Sequence, residues 1–169
     1  MSSRALFLAG TVVLACTFVA TARAVFGIAV APTTAVGSPV TLNGVDQISN
    51  FTATITVSGA GTTGWNITAW APLPVSGTNT LGALVVPTQP TAGVCSPSGS
   101  CNQPTPVGIT WPVTVGTTSA GATKIYNANT STGKGTNTIT VTFNIPVFAN
   151  ALPGTYTTTL TITGSSSGP

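Results

Sequence analysis

The chain has no histidine and no glutamate, Asp46 is its one acidic residue, and Lys and Arg together number four in 169 residues. These absences remove whole classes of chemistry. Hydrolysis by paired carboxylates needs two acidic groups, and a Ser-His-Asp or Cys-His arrangement needs an imidazole. No residue is therefore assigned a catalytic role, and the sequence reads as non-enzymatic. Lys124 and Lys134 stand among Gly, Ser, Thr and Asn. Such surroundings suit solvated loops rather than the burial that turns a lysine into a nucleophile or base. Zinc and iron sites are excluded by the same inventory. No glycine-rich phosphate loop leads from a strand into a helix, so no cofactor is expected.

Charge is scarce and unclustered, which argues against a nucleic-acid partner despite a formal net charge of +3. Two of the four basic residues, Arg4 and Arg23, flank the long apolar run Ala5 to Ala20. A positive start, an apolar stretch and the small residues of Ala22-Arg23-Ala24 make residues 1–24 read as a signal peptide cleaved after Ala24. Gly10, Thr11 and Thr17 dilute the run below what spans a bilayer, and no later segment is apolar enough, so no transmembrane anchor is expected in the mature chain. Val13-Leu14-Ala15-Cys16 loosely matches a lipoprotein cleavage box. Apolar residues continue beyond Cys16, where a polar tether is usual, and this argues against lipidation.

Residues 25–169 have the length of one domain able to bury a real core. They carry only Asp46, Lys124 and Lys134 as charges, and about a fifth of them are threonine. Period-two alternation dominates. In Phe51-Thr52-Ala53-Thr54-Ile55-Thr56-Val57 the apolar residues take the odd positions. The pattern returns at Trp65, Ile67 and Ala69, at Ile139, Val141, Phe143 and Ile145, and at Tyr156, Leu160 and Ile162. Each such run predicts a strand with one buried and one wet face. Weaker strands are expected at Val25 to Ala31, Val40 to Leu42, Thr80 to Val86, Val107 to Val115 and Thr123 to Tyr126. About eight strands joined by Gly- and Pro-rich turns, with no helical stripe, predict an all-β fold: a single antiparallel β-sandwich of immunoglobulin-like kind.

The stretch from Pro87 to Pro106 holds five prolines and reads as a long surface loop. Cys95 and Cys101 within it enclose Ser-Pro-Ser-Gly-Ser, and in an exported chain they are expected to form a disulfide. Asn50, Asn66 and Asn129 begin N-x-S/T sequons open to N-glycosylation. Parity places Trp65 and Tyr156 on the buried faces of their strands. Trp70 shares parity with Asn66 and Thr68, on the wet side, and is the candidate ligand contact.

Trp65-Asn66-Ile67 after GAGTTG, and YTTTLTI from Tyr156 to Ile162 through Leu160, resemble the two motifs of WxL-domain surface proteins of Gram-positive bacteria. Ile67 stands where that family has Leu, Ile162 where it has its second Trp, and Gly164 where it has a later Leu. The resemblance implies a β-sandwich held non-covalently on the peptidoglycan-containing wall. The expectation is thus a secreted, non-catalytic protein that engages cell-wall polymer or other surface proteins. A rival reading is a self-assembling subunit of an extracellular filament or coat. Its uncharged strand edges lack Lys and Pro gatekeepers, and Val25 to Ala31 would be the donated strand.

Overall fold

A computed structural model describes residues 11–21, 26–97 and 100–166. Along the chain run β1 (Thr11–Thr21), β2 (Gly27–Ala31), β3 (Thr34–Val36), β4 (Val40–Thr41), β5 (Gln47–Ala60), β6 (Trp65–Trp70) and β7 (Val75–Ser76). There follow β8 (Asn79–Thr80), β9 (Val85–Val86), β10 (Thr91–Ser96), β11 (Val113–Thr114), β12 (Thr123–Ala128), β13 (Gly135–Val147) and β14 (Gly154–Ser165). The described residues contain no helix. One sheet has the order β12-β6-β14-β1-β3, with β4 on β1 and the β7–β8 pair on β14; the other has the order β11-β9-β13-β5-β2, with β10 on β13.

The two sheets close over one core. In β5 the residues Phe51, Ala53, Ile55 and Val57 point inward, and in β13 so do Ile139, Val141, Phe143 and Ile145. β5 and β13 are antiparallel over nearly their whole length. Their register sets Thr52 opposite Thr142, Thr54 opposite Thr140 and Thr56 opposite Thr138, so the outer face is a ladder of paired hydroxyls. From the facing sheet come Trp65 and Ile67 of β6 and Tyr156, Leu160 and Ile162 of β14, all fully buried. Phe51 and Phe143 stack at 5.2 Å across the β5–β13 pair, and Phe18 of β1 meets Phe51 edge-on at 5.9 Å between the two sheets.

Several expectations change. The segment from Pro87 to Pro106 is not all loop: Thr91–Ser96 is β10, paired with β13 across a bulge between Ala92 and Cys95. Its prolines bracket this run instead of interrupting it, and Gly93 lets the backbone pass against the Thr138 side chain. The Cys95–Cys101 disulfide is present, with Cα atoms 6.0 Å apart. The windows Thr80 to Val86 and Val107 to Val115 yield only two-residue strands. Fourteen strands therefore stand among the described residues where about eight were expected.

The largest difference lies in the apolar run of the expected leader. Thr11–Thr21 is β1, inserted between β14 and β3 and parallel to β14 from Val12 to Thr21, the one parallel ladder between named strands. Leu14, Cys16 and Phe18 are buried while Thr17 is exposed. The run alternates well enough to serve as a strand, a property that its apolar length conceals when it is read as a leader alone. The expected cleavage site after Ala24 lies outside the described residues. Of the segment Val25 to Ala31, expected as the donated strand in the filament reading, Gly27–Ala31 pairs with β5 of its own chain.

Candidate functional site

The five residues that carry the WxL resemblance share a place in the core. Trp65 is stacked on Tyr126 at 5.4 Å and tilted against Phe26 at 6.4 Å. Its indole Nε1–H donates to the Gly133 carbonyl at 3.0 Å, and the Asn137 amide donates to the same oxygen at 2.8 Å. Gly133 has φ of 71°, and a Cβ there would strike the indole. This turn thus needs glycine twice over. Tyr156 donates its hydroxyl to the Leu152 carbonyl four residues earlier at 2.9 Å, the geometry of a tyrosine corner. Leu160 and Ile162 fill the same interior, and Gly164 faces the Ile28 and Phe26 side chains so closely that no side chain fits. Ile67, also fully buried, lies opposite Gly164.

Trp70, expected on a wet face with Asn66 and Thr68, lies opposite Thr161 of β14, is half-buried rather than open, and bridges through its backbone to Gly116, while Asn66 of the same parity is buried. Of the sequons, Asn50 and Asn129 are exposed, whereas Asn66 is buried in β6 between Asn127 and Ser165. Lys124, Lys134 and Asp46 are exposed. The Asp46 carboxylate accepts the Ala149 amide at 2.7 Å and so tethers the loop between β13 and β14. Among the described residues no three His, Cys, Asp or Glu side chains gather as a metal site would require. No helix among them is long and apolar enough to cross a membrane.

That tethered loop forms one wall of a surface cleft of about 360 Å³. Phe148, Asn150, Ala151 and Leu152 line this side, and Thr78, Asn79 and Thr80 of the β7–β8 hairpin line the other, with Tyr156 at the base. The hairpin turns at Gly77, whose φ of 59° suits a two-residue β-turn. The loop is closed on itself by the Ala151 amide donating to the Phe148 carbonyl at 2.9 Å. Phe148 is 45% exposed and Leu152 54%. An open ring and an aliphatic side chain therefore stand beside two carboxamides and two threonine hydroxyls, with the Tyr156 phenol below and no carboxylate or ammonium in the lining.

A site so composed suits a neutral, hydroxyl-rich ligand that offers both an apolar face and hydrogen-bonding edges. Trp70 lies elsewhere: four residues of β14 separate its partner Thr161 from Thr157, which pairs with Val75 of the hairpin, or roughly 13 Å along the strand. Phe148 escapes the sequence reading because it continues no alternation inward. Val147 before it is buried, and one step past the end of β13 the chain turns outward. The available signal was an aromatic followed by Ala-Asn-Ala-Leu-Pro-Gly, a turn-rich string next to a ring. Comparison with protein-family models gives no match, and a search of curated proteins gives none either.

Proposed function

We propose that this chain is a secreted, non-catalytic cell-surface protein that binds a neutral polymer of the cell wall through the cleft at Phe148. The observation that carries the reading is the cleft's lining: an open aromatic ring flanked by Asn79, Asn150, Thr78 and Thr80, with no ionic group. Sugar rings offer the matching surface, an apolar C–H face and hydroxyl edges. The leader-like segment and the resemblance to WxL-domain surface proteins support placement outside the cell. Peptidoglycan is then the first polymer to try.

The test is sedimentation of the exported protein with isolated cell walls. Binding should persist at about 0.5 M salt, because stacking and hydrogen bonds are little screened and few charges are available. Phe148→Ala should release the protein from the pellet while its thermal melt stays unchanged. Binding that disappears in salt, or that is indifferent to Phe148→Ala, would overturn the assignment of this cleft.

A further inference from the structure

We infer that the place held by β1 is a strand-acceptor slot, filled in the unprocessed chain by its own residues 11–21 and, once these are removed, by an extended strand of a different exported protein. The inference rests on the reading of residues 1–24 as a cleaved leader. It is carried by where β1 sits. A strand removed from a sheet margin leaves one free edge, but β1 lies inside its sheet. Its loss would free the β14 ladder from Gly154 to Thr163 and leave β3 and β4 without the strand that each pairs with. It would also unseat Leu14, Cys16 and Phe18 from the core, together with the Phe18 contact to Phe51.

The slot so opened is apolar at its floor and bounded on both sides by backbone. Nothing blunts its long edge. Residues 154–165 contain no charge and no proline, the usual devices that keep an open strand from pairing. The present occupant specifies the chemistry of the next: an extended segment parallel to β14 with apolar side chains at three alternate positions, large, small and aromatic, and a neutral outer face. Strand addition of this kind takes affinity from the ladder and selectivity from the pockets for alternate side chains.

A second copy is poorly suited to donate. The clearest alternating segments downstream of residue 25 already serve as β2, β5, β6, β13 and β14 of their own sandwich. Donation by β2 would withdraw Phe26 and Ile28 from beside Gly164 and Trp65, opening one gap to fill another. The occupant is accordingly another protein.

The chain should be exported from cells with its own leader, weighed intact, and mixed with a synthetic peptide of residues 11–21. The expected product starts at Val25, is monomeric, binds the peptide one to one in native mass spectrometry and gains several degrees in Tm. Amide exchange at Tyr156 to Ile162 should slow at least tenfold on binding. A peptide carrying Leu14→Asp and Phe18→Asp should do none of this. A product that starts at Val25 and carries no second chain in its native mass, yet has those amides already protected and ignores the peptide, overturns the slot while leaving leader removal intact. A product that forms homopolymers protected at the same amides overturns the choice of partner. A mass that includes residues 1–24 overturns leader removal and the exchange together, because β1 then stays in place.

Discussion

At the scale of single residues the fold depends most on the buried aromatic side chains and the groups packed against them. Trp65 is the clearest. Removing its ring would leave a cavity beside Tyr126 and strip one donor from the Gly133 carbonyl. Trp65→Ala should therefore cost roughly 3–5 kcal/mol, much of a domain's net stability, and circular dichroism melts would read this as partial or complete unfolding. Trp70→Ala, at a half-buried position, should cost under about 1 kcal/mol in the same melts. Gly164→Leu should also destabilise, since a side chain there would strike Ile28 and Phe26. Expression and melting of that variant decide whether β2 really lies where Gly164 makes room for it. A glycine here is the complement of a strand packed against it, which one sequence read alone could not reveal.

Among the elements, the long ones were legible and the short ones were not. Phe51 to Val57, Ile139 to Ile145 and Tyr156 to Ile162 alternate over many residues, so burial on one face leaves a clear signature. The strands β7, β8, β9 and β11 are two residues each, too short for any period to register. β10 was hidden by its prolines, and β1 by an apolar composition that suits export and sandwich cores alike. The disulfide acts at this scale too, joining the end of β10 to Cys101, which lies against Gly135 at the start of β13. Replacing Cys95 and Cys101 by Ser should lower stability by about 2–3 kcal/mol, the loop-closure value for so short a ring. Proteolysis between residues 90 and 104 should quicken, while the melt stays cooperative because the β5–β13 pair is untouched.

Across the whole molecule the scarcity of charge sets the response to conditions. No histidine titrates near neutrality, and the groups with clear shifts lie in the alkaline range. Burial pushes the Tyr126 phenol up to about 12 and, where β1 is in place, the Cys16 thiol up to about 11. Both are held in their neutral forms by the fold. The unfolded chain releases these protons first as pH rises, so stability should be flat from about pH 6 to 8. It should then fall between the unfolded values, near 9 and 10, and the folded ones. Melts at pH 8, 10 and 11.5 check the sign, and a stability that rose over this range would contradict the burial of Tyr126. The site was less legible than the fold. Sequence parity grouped Trp70 with Asn66 on a wet face, yet Asn66 is buried and Trp70 half-buried, and the cleft is made instead by a loop and a hairpin, the loop tethered by Asp46, 103 residues away from Ala149.

The parallel pairing of β1 with β14 bears on the order of events in synthesis. Val12 meets Gly154 and Thr21 meets Thr163, partners separated by some 140 residues of chain. Contacts so remote raise the contact order and slow folding, since loop closure precedes any reward from the ladder. On a ribosome adding about 5–20 residues per second, the apolar segment would wait several seconds without its partner. The length of the intervening chain thus sets how long Thr11–Thr21 must go without its ladder before it can enter its sheet.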